Sequence, residues 1–314
     1  SMKGGFRVDR PGVLTLLQDA GRFGYHRFGL TTGGPADPLA FNWANRLCGN
    51  DPGMTALEVT IGGLELECGA ATIFALCGAD MPLTINGQPK ESWRSHQVKS
   101  GDRVALGYAH RGMRAYLAVA DGFNISATFG STATVIREGL GGLSGNPLQA
   151  GDYLPCADIS GRQCLSLGRG YRPVYGGRIL LRVVSGYQST LVANEQQQRF
   201  FTSEYRLLSQ SDRMAARLEG PPIDIDLPEL LSEGICLGAI QIPPDGLPII
   251  LMHDRQTIGG YPKLGSVISL DMSQLTQLKP GGLVSFKSVT MAEARHIRLA
   301  ADRMYRQLKP EVCD

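Results

Sequence analysis

The segment "MHDRQTIGGYPKLG" (252–265) holds the densest group of side chains that could do chemistry. It places an imidazole, a carboxylate and a guanidinium side by side at His253, Asp254 and Arg255. An adjacent arginine keeps a carboxylate ionised and able to orient a hydrogen-bond donor, and a histidine titrates near neutral pH. We therefore predict that Asp254 and His253 are the catalytic residues of a site.

The rest of this segment supplies groups that suit a small planar ligand. Gln256 and Thr257 can both donate and accept hydrogen bonds, as an amide or ureido group requires. Gly259 and Gly260 would expose backbone N–H groups, and Tyr261 would supply a flat apolar wall. With Arg255, these residues favour an amide-like substrate whose developing negative charge needs donors. The alternative is a polar strand exit in which an aspartate and an arginine only satisfy each other.

A second polar segment, residues 16–40, contains five glycines and follows an apolar run. Glycine lets the backbone approach a ligand closely, and the end of the segment leads into a helix N-terminus, which favours an anion. The predicted binding residues here are Gln18, Asp19, Arg22, Gly33 and Gly34. We expect this loop to complete the cleft whose other wall follows residue 252. The alternative is a long surface loop before a capped helix.

A third polar segment, "LLSQSDRMAARLEG" (207–220), lies between apolar flanks. Arg213 is the candidate in it for binding a negatively charged group. The alternative is a turn with a surface ion pair between Asp212 and Arg213. Elsewhere the sequence contains no Walker A motif, Rossmann fingerprint, nucleophile elbow or HExxH helix. The five histidines do not pair at metal-ligand spacing, so we predict no metal centre.

Composition narrows the class of protein. Hydrophobic residues make up 43% of the 314 residues and charged residues 19%, as in ordinary globular proteins. A formal net charge of +2 gives no reason to expect nucleic acid or an anionic membrane as partner. The seven cysteines include no CxxC pair, which argues against a disulfide framework or a zinc site. With no signal peptide and no long apolar run, we expect a cytoplasmic location.

Short apolar runs broken by Gly, Pro, Asn or Asp recur at strand spacing, so the sequence predicts a mainly β protein. Asn86-Gly87 predicts a tight hairpin, "PDG" (244–246) a second hairpin turn, and residues 265–272 a strand. Three helices are predicted, beginning near Asp37-Pro38, Asn194 and Thr290. The last would pack a face on a barrel through Ala294, Ile297, Ala301, Met304 and Leu308.

A weak internal similarity bears on domain organisation. Residues 96–109 and 276–289 each have a lysine, a glycine two positions later and then an alternating strand. This pattern is either coincidence or the sign of two β-barrels of the same type in tandem. The Gly- and Arg-rich stretch 160–177 is the expected connection, which gives predicted domains at 1–165 and 166–314.

The three polar segments together resemble one protein family. The resemblance rests on "LQDAGRFGYHRFGLTTGGPADPLAFNWANRLCGND" (17–51), "LSQSDRMAARL" (208–218) and "IQIPPDGLPIILMHDRQTIGGYP" (240–262). The family is the biotin-dependent carboxyltransferase, or allophanate hydrolase subunit 2, family, which includes the C subunit of 5-oxoprolinase and the KipA regulator. Similarity extends from about residue 7 to about residue 305. The family implies tandem cyclophilin-like β-barrels with a few peripheral helices.

The resemblance also implies an activity and partners. The expected role is that of the C subunit of an ATP-dependent 5-oxoprolinase, which converts 5-oxo-L-proline, ATP and water to L-glutamate, ADP and phosphate. The expected partners are a KipI-like subunit 1 protein, similar to the B subunit of 5-oxoprolinase, and a LamB/YcsF-like A subunit. Because this chain has no phosphate loop, ATP would be bound at the level of the complex. Asp254 would orient the ring amide or a water, and Arg22 and Arg213 would hold negative charge.

Two alternatives stay open within this family. One is a carboxyltransferase subunit that acts with carboxybiotin on urea or a similar amide. The other is a KipA-like regulator that binds a KipI-like protein and catalyses nothing. Asp212 stands where the family pattern has Asn, and His253 precedes the aspartate where Asn is expected. These departures alter the charge of the predicted site and leave its substrate open.

Overall fold

A computed structural model describes residues 4–225 and 233–314. The chain divides into two compact units, which we call unit 1 and unit 2. Unit 1 comprises Ser1–Tyr25, Thr32–Tyr175 and Lys309–Asp314, and unit 2 comprises His26–Thr31 and Gly176–Leu308. The division falls between Tyr175 and Gly176, whereas the sequence placed the domain boundary at 165/166.

Unit 1 is built from short antiparallel strands. Up to residue 175 these are β1 Gly5–Pro11, β2 Leu14–Gln18, β3 Ala56–Thr60, β4 Leu64–Cys68, β5 Thr72–Gly78, β6 Leu83–Ile85, β7 Gln88–Lys90, β8 Ser95–Val98, β9 Arg103–Leu106, β10 Arg114–Val119, β11 Tyr153–Pro155 and β12 Leu165–Ser166. They form a six-stranded sheet in the order β11-β1-β4-β9-β6-β7 and a five-stranded sheet in the order β2-β3-β10-β5-β8. Both sheets contribute to one apolar core, with Phe6 and Leu66 from the first and Leu57 and Leu117 from the second.

The burial of each strand follows its side-chain pattern. In β4, "LELEC", every second residue is fully buried because one face meets the core. In β5, "TIFALCG", every residue is buried, since the strand lies inside its sheet and also packs against a helix. The predicted hairpin at Asn86-Gly87 is confirmed: it joins β6 to β7, and both residues have positive φ, at 53° and 78°.

That helix is α1, Pro38–Leu47, and it begins where the sequence predicted. The Asp37 side chain caps it by accepting a hydrogen bond from the Ala40 N–H at 3.2 Å, and Pro38 occupies the first turn. Gly49, with φ of 71°, follows the helix end, where a left-handed residue is expected. The helix therefore presents its apolar face, including Phe41, to β5 and β10.

Unit 2 contains a closed barrel. Its strands are β13 Arg178–Ser185, β14 Tyr205–Leu207, β15 Ala215–Glu219, β16 Glu233–Gly234, β17 Ala239–Gln241, β18 Ile249–Leu251, β19 Ile258–Gly259, β20 Lys263–Val267 and β21 Leu283–Val289. The barrel order is β13-β20-β17-β18-β15-β14-β21, and the parallel pairing of β13 with β21 closes it. β16 and β19 form a separate two-stranded sheet. The mainly β class predicted from the sequence is confirmed, and unit 2 contains a closed barrel of seven strands. The main strands of unit 1 form two sheets, so of the two predicted barrels the closed one observed in the described residues is that of unit 2.

The helices of unit 2 are α2 Asn194–Thr202, α3 Ser269–Gln277 and α4 Met291–Gln307. α2 and α4 begin at or next to the predicted positions, and the Thr290–Glu293 capping box is present. The strand predicted over 265–272 is wrong beyond Val267, because α3 begins at Ser269. Its Met272 and Leu275 enter the barrel core at helical spacing, which a short apolar run does not distinguish from strand alternation.

Helix α4 differs from its prediction in burial. None of its residues is fully buried. Ala294, Ile297, Ala301 and Leu308 are half-buried, but Met304 is 60% exposed. The predicted apolar face is therefore only partly covered.

The end of the chain returns to unit 1. A last strand, β22 Glu311–Val312, pairs with β12, with Leu165 opposite Val312 and Ser166 opposite Glu311. Both ends of the predicted second domain, 166–314, thus belong to unit 1. A two-residue strand leaves too little pattern in a sequence to be predicted.

Candidate functional site

Unit 2 carries a cleft of about 1290 Å³ on the outside of its barrel. Along β15, β17 and β18 the side chains alternate, so that Ala216, Ile240 and Ile250 enter the barrel core. Their neighbours Arg217, Gln241 and Ile249 point the other way and line the cleft. The alternation that fills the barrel therefore also supplies the floor of the cleft.

The floor is apolar at its centre. Ala215, Ile235, Ala239 and Leu251 form a small buried cluster there, with Ile249 packed against it. The predicted hairpin turn at "PDG" borders the cleft: the Gly246 N–H donates to the Pro243 carbonyl at 2.9 Å, and β17 pairs with β18 as predicted.

Among the residues that the structure describes, three carboxylates line the cleft: Asp212, Asp224 and Asp245. The Asp212 carboxylate accepts hydrogen bonds from the backbone N–H groups of Met214 at 2.8 Å and Ala215 at 3.1 Å. The Asp245 carboxylate accepts one from the Leu247 N–H at 3.0 Å. These two acids therefore shape the turns that border the cleft.

Gln241 is the most buried polar side chain of the cleft, with 6% of its surface exposed. It lies against the backbone of Gly259, where an added Cβ would come within 2.9 Å of the Gln241 Nε2 and 2.5 Å of the Ile235 Cδ1. A side chain at 259 would therefore displace both residues. Glycine at this position allows the backbone of β19 to approach the amide closely.

The loop that carries Gly259 is held by a polar network behind it. β19 pairs with β16, which places Gly259 opposite Glu233. The Glu233 carboxylate accepts from the Lys263 ammonium at 2.7 Å and from the Gln188 amide at 3.1 Å. The Gln188 carbonyl oxygen in turn accepts from the Lys263 backbone N–H at 2.8 Å. This network fixes one wall of the cleft.

A second wall rests on a buried ion pair. The Arg213 guanidinium donates two hydrogen bonds to the Asp254 carboxylate, Nε to Oδ2 and Nη2 to Oδ1, each at 3.0 Å. Asp254 is 3% exposed, and its backbone N–H donates to the Arg213 carbonyl at 2.8 Å. The pair joins the turn containing Asp212 to the loop that leads to Gln256, and both of these line the cleft.

The residues beside Asp254 are also buried. The Arg255 Nε donates to the Ile235 carbonyl at 3.2 Å, and loss of hydration on burial lowers the pKa of this guanidinium. The His253 carbonyl accepts a hydrogen bond from the Thr31 hydroxyl at 3.2 Å. The Thr257 carbonyl accepts from the Ile235 N–H at 3.0 Å. These contacts order the loop through its backbone as well as its side chains.

In unit 1 the predicted residues Asp19 and Arg22 bind one loop, residues 128–133. The Asp19 carboxylate accepts from the Ser131 hydroxyl at 2.5 Å and the Thr132 N–H at 2.9 Å. The Arg22 Nε donates to the Thr128 carbonyl at 2.8 Å, and its Nη2 donates at 3.1 Å to the carbonyls of Ser131 and of Ala133. Arg22 is 1% exposed, and burial lowers its pKa.

Gln18, at the end of β2, donates from its Nε2 to the Thr134 carbonyl at 3.1 Å. The Gln18 Oε1 and the Arg22 Nη1 are buried, and neither has a hydrogen-bond partner in the described parts of the chain. Each of these two side chains therefore has one buried polar atom that takes no part in the hydrogen bonds described above.

The N-terminus of α1, where the sequence predicted an external anion, already faces carboxylates of the protein. The Ala36 N–H donates to the Glu58 carboxylate at 2.9 Å, and the Asp37 N–H donates to the Tyr116 hydroxyl at 2.8 Å. That hydroxyl donates to Glu58 at 2.7 Å. Internal acids therefore supply the negative charge that the helix dipole favours.

Gly33 and Gly34 precede this helix with φ of 62° and 86°. A Cβ at Gly34 would lie 2.9 Å from the Ala20 carbonyl oxygen. Both positive φ and close packing therefore require glycine at position 34.

Comparison with known proteins places this chain in a family. The model of the carboxyltransferase domain, subdomains A and B, matches residues 28–288. The 5-oxoprolinase C subunit of Escherichia coli (strain K12) is 36% identical over 304 residues, covering 96% of this chain and 97% of that protein. The chain belongs to the carboxyltransferase-domain family. The family resemblance noted in the sequence is confirmed.

Two further proteins are similar to this chain, one in sequence and one in structure. The 5-oxoprolinase C subunit of Haemophilus influenzae is 35% identical, with 90% of each chain covered. The crystal structure of the Kluyveromyces lactis urea amidolyase matches 100% of this chain with a TM-score of 0.91 at 26% identity. This chain spans only 20% of that enzyme.

The structure sorts the predicted site residues of this family member into three sets. Gln256, Gly259, Gly260 and Tyr261 line the cleft of unit 2. Arg213, His253, Asp254, Arg255 and Thr257 belong to unit 2 but do not line that cleft. Gln18, Asp19, Arg22, Gly33 and Gly34 belong to unit 1. That the first and third sets share one cleft stays a prediction.

Sequence reasoning missed Gln241 and Arg217. Both stand at strand positions whose neighbours, Ile240 and Leu218, are core residues. The alternation in "AIQI" and "AARLE" was the available signal, since a polar residue between buried ones faces outward. Within residues 4–225 and 233–314, no group of three or more His, Cys, Asp or Glu is arranged to hold a metal ion. In the same residues, no helix has the length and apolar character needed to cross a membrane.

Proposed function

We propose that this chain is the C subunit of an ATP-dependent 5-oxoprolinase. The observation that carries the proposal is the end-to-end match to the Escherichia coli 5-oxoprolinase C subunit, which covers 96% of one chain and 97% of the other. The urea amidolyase of Kluyveromyces lactis corresponds to this chain over only 20% of its length. The match therefore favours the role of the 5-oxoprolinase C subunit over that of the urea amidolyase.

The cleft of unit 2 supports a small amide as the substrate. Its floor is apolar at Ile249 and Leu251, and the amides of Gln241 and Gln256 line it. A primary amide both donates and accepts hydrogen bonds, so it complements a lactam, which presents an N–H and a carbonyl on one edge. A flat ring on an apolar floor with an amide at its edge is the arrangement expected for such a ligand.

Asp254 acts in this proposal as a positioning residue. Both of its carboxylate oxygens accept hydrogen bonds from Arg213, and the pair lies between two segments that line the cleft. The pair would hold these segments at the spacing that the substrate requires. The sequence analysis predicted catalytic roles for Asp254 and His253. In this proposal Asp254 instead supports the wall of the cleft, and no catalytic role is assigned to either residue.

ATP enters at the level of the assembled enzyme. The sequence of this chain contains no Walker A motif, and its bacterial relatives are C subunits by name, which implies further subunits. The proposed partners are the KipI-like B subunit and the LamB/YcsF-like A subunit. The cleft, at about 1290 Å³, is larger than the roughly 300–1,000 Å³ usual for small-molecule pockets, so a partner's group can share it.

A second candidate function is carboxyl transfer to urea or a similar amide, with carboxybiotin as the donor. The observation in its favour is the TM-score of 0.91 to the urea amidolyase. With this function the complex would need a biotin-carrying partner, and the cleft would bind an uncharged substrate.

The test is release of glutamate from 5-oxoproline by the three co-purified subunits, with and without ATP. We expect ATP-dependent release that disappears when this chain is omitted and returns when it is added back. An intact complex that releases no glutamate would contradict the proposal. Carboxylation of urea by that complex with a biotin carboxylase would then establish the second candidate, and inactivity in both assays would point to a regulator.

A further inference from the structure

Three cleft residues stand in one row across neighbouring strands of the barrel. Gln241 of β17 is opposite Ile249 of β18, and Arg217 of β15 is opposite the same Ile249 from the other side. Adjacent strands lie about 4.8 Å apart, so the Cα atoms of Gln241 and Arg217 are separated by roughly 10 Å. The row therefore consists of an amide, an apolar centre and a guanidinium.

The Gln241 amide is available to a ligand. More than nine-tenths of the residue is buried, and it lines the cleft. No group in residues 4–225 or 233–314 forms a hydrogen bond with its side chain. Because the side chain lines the cleft, a ligand bound there can form hydrogen bonds with the amide. The packing of Nε2 beside Gly259 fixes where such a ligand would lie.

Arg217 is the charged end of the row. Its backbone is fixed by a hydrogen bond from its N–H to the Ser211 hydroxyl at 2.9 Å and by pairing with β18. Its side chain is exposed along the cleft and has no ion pair within the described part of the chain. Among the carboxylates that line the cleft, those of Asp212 and Asp245 accept backbone N–H groups. The guanidinium is thus a cation without a fixed partner among the described residues.

We propose that Gln241, Ile249 and Arg217 form a subsite that selects lactams bearing a carboxylate. This inference rests on the proposed function and names how its substrate is recognised. The Gln241 amide hydrogen-bonds the N–H and carbonyl edge of the lactam, and the ring lies on Ile249. Arg217 binds the carboxylate through two parallel hydrogen bonds, the geometry that guanidinium and carboxylate groups favour. A neutral substrate such as urea would gain nothing from Arg217.

The test uses the reconstituted complex of all three proteins carrying Arg217→Gln, Arg217→Lys or Gln241→Met. Glutamate release gives KM and kcat for 5-oxoproline, and inhibition by 2-pyrrolidone, the same lactam without its carboxylate, gives a Ki. Arg206→Gln is the control, because Arg206 is an exposed strand arginine of unit 2 that does not line the cleft. Arg199→Gln tests the second arginine that does line it.

We expect Arg217→Gln to raise KM for 5-oxoproline by about tenfold or more, with kcat within about twofold and the Ki of 2-pyrrolidone unchanged. Arg217→Lys should restore part of the loss, since it keeps the charge but not the planar fork. Gln241→Met should raise both KM and Ki, because the lactam edge is common to both compounds. Arg206→Gln should match the wild type.

An unchanged KM in Arg217→Gln, or a rise caused by Arg199→Gln instead, would overturn the subsite. Equilibrium dialysis of labelled 5-oxoproline with the same complexes separates this result from failure of the proposed function. Binding by the wild type that weakens in Arg217→Gln supports the subsite even without turnover. Turnover with equal binding by both overturns the subsite alone, and a wild-type complex that neither binds nor converts 5-oxoproline overturns both.

Discussion

Unit 1 and unit 2 each place polar side chains just after an apolar strand, but these side chains have different partners. In unit 1, Asp19 and Arg22 bind the backbone and one hydroxyl of residues 128–133. In unit 2, Arg213 and Asp254 bind each other beneath a cleft whose exposed polar groups come from other positions. The same local pattern therefore holds a loop in place in unit 1 and supports a wall of the cleft in unit 2.

The difference between the units shows that charge alone does not identify a ligand-binding arginine. Arg22 and Arg213 are both buried, and both guanidinium groups already donate to groups of the protein. Arg217 is exposed and lacks an ion pair among the described residues. The arginine that the proposed subsite assigns to the substrate carboxylate is therefore one that the sequence analysis did not select. The substitutions below test this distinction between structural and ligand-binding side chains. They begin with the one that should change stability most.

Removing one member of the buried pair should have the largest effect on stability. Asp254→Ala leaves the Arg213 guanidinium buried without its carboxylate, and we expect a loss of about 3–5 kcal/mol in the free energy of unfolding. Urea denaturation measures this change. Asp245→Ala is the matched control, since its exposed carboxylate accepts one backbone N–H, and it should cost under about 1 kcal/mol.

A double variant sharpens this prediction. Replacing both members, Arg213→Met with Asp254→Leu, should recover much of the stability because no unpaired charge stays buried. It should not recover substrate binding if the pair positions the cleft wall. Wild-type stability of Asp254→Ala would contradict the structural role of the pair.

In unit 1, Arg22→Met should reduce stability without changing substrate affinity. The substitution removes the donors to three carbonyls of residues 128–133, and we expect a cost of about 3 kcal/mol. Thermal denaturation and KM for 5-oxoproline in the reconstituted complex check the two parts. A stable variant with a raised KM would reverse the comparison and make Arg22 a ligand-binding residue, as the sequence predicted.

Gly259→Ala should cause a smaller loss of stability and a specific loss of binding. The added Cβ would meet Ile235 and Gln241, so we expect a cost of about 1–3 kcal/mol and a raised KM as the amide shifts. Gly234→Ala, in the paired strand, is the control, because a Cβ there meets no atom within 4 Å. Equal behaviour of the two variants would show that the Gly259 contact does not position the amide.

The smallest perturbation is chemical labelling of thiols at pH 8 with a mild disulfide reagent. Burial raises the pKa of Cys68 to about 11 and that of Cys156 to about 12, so both stay protonated and covered in unit 1. Cys236 of unit 2 is exposed, so the reagent can reach its sulfur and should react with it first. Cys236→Ser should remove the fast phase, and fast labelling of Cys68 would contradict the packing of unit 1.

Local chemistry made several elements predictable from the sequence. Asn86-Gly87, Asp37-Pro38 and the Thr290–Glu293 pair each depend on contacts within a few residues, and all three are present. The barrel class followed from strand spacing and from the family resemblance. By contrast, α3 and the β12–β22 pairing depend on what lies opposite them in the fold. Short apolar segments carry no information about such distant partners.

The candidate site was predictable in part for the same reason. The glycines and Tyr261 that line the cleft lie in one continuous motif, so they could be recognised together. The partner of Asp254 could not, because Arg255 is adjacent in sequence whereas Arg213 is adjacent in space. Gln241 and Arg217 become neighbours of one ligand position only through pairing of both strands with β18. Strand register, which a sequence does not state, assembles this part of the site.

The decisive experiment for the proposed function is ATP-dependent glutamate release from 5-oxoproline by the complete complex, with this chain present, omitted and restored. We expect release only when the chain and ATP are both present. A complete complex that hydrolyses 5-oxoproline equally well without this chain, or not at all with it, would contradict the assignment of the chain as the C subunit of a 5-oxoprolinase.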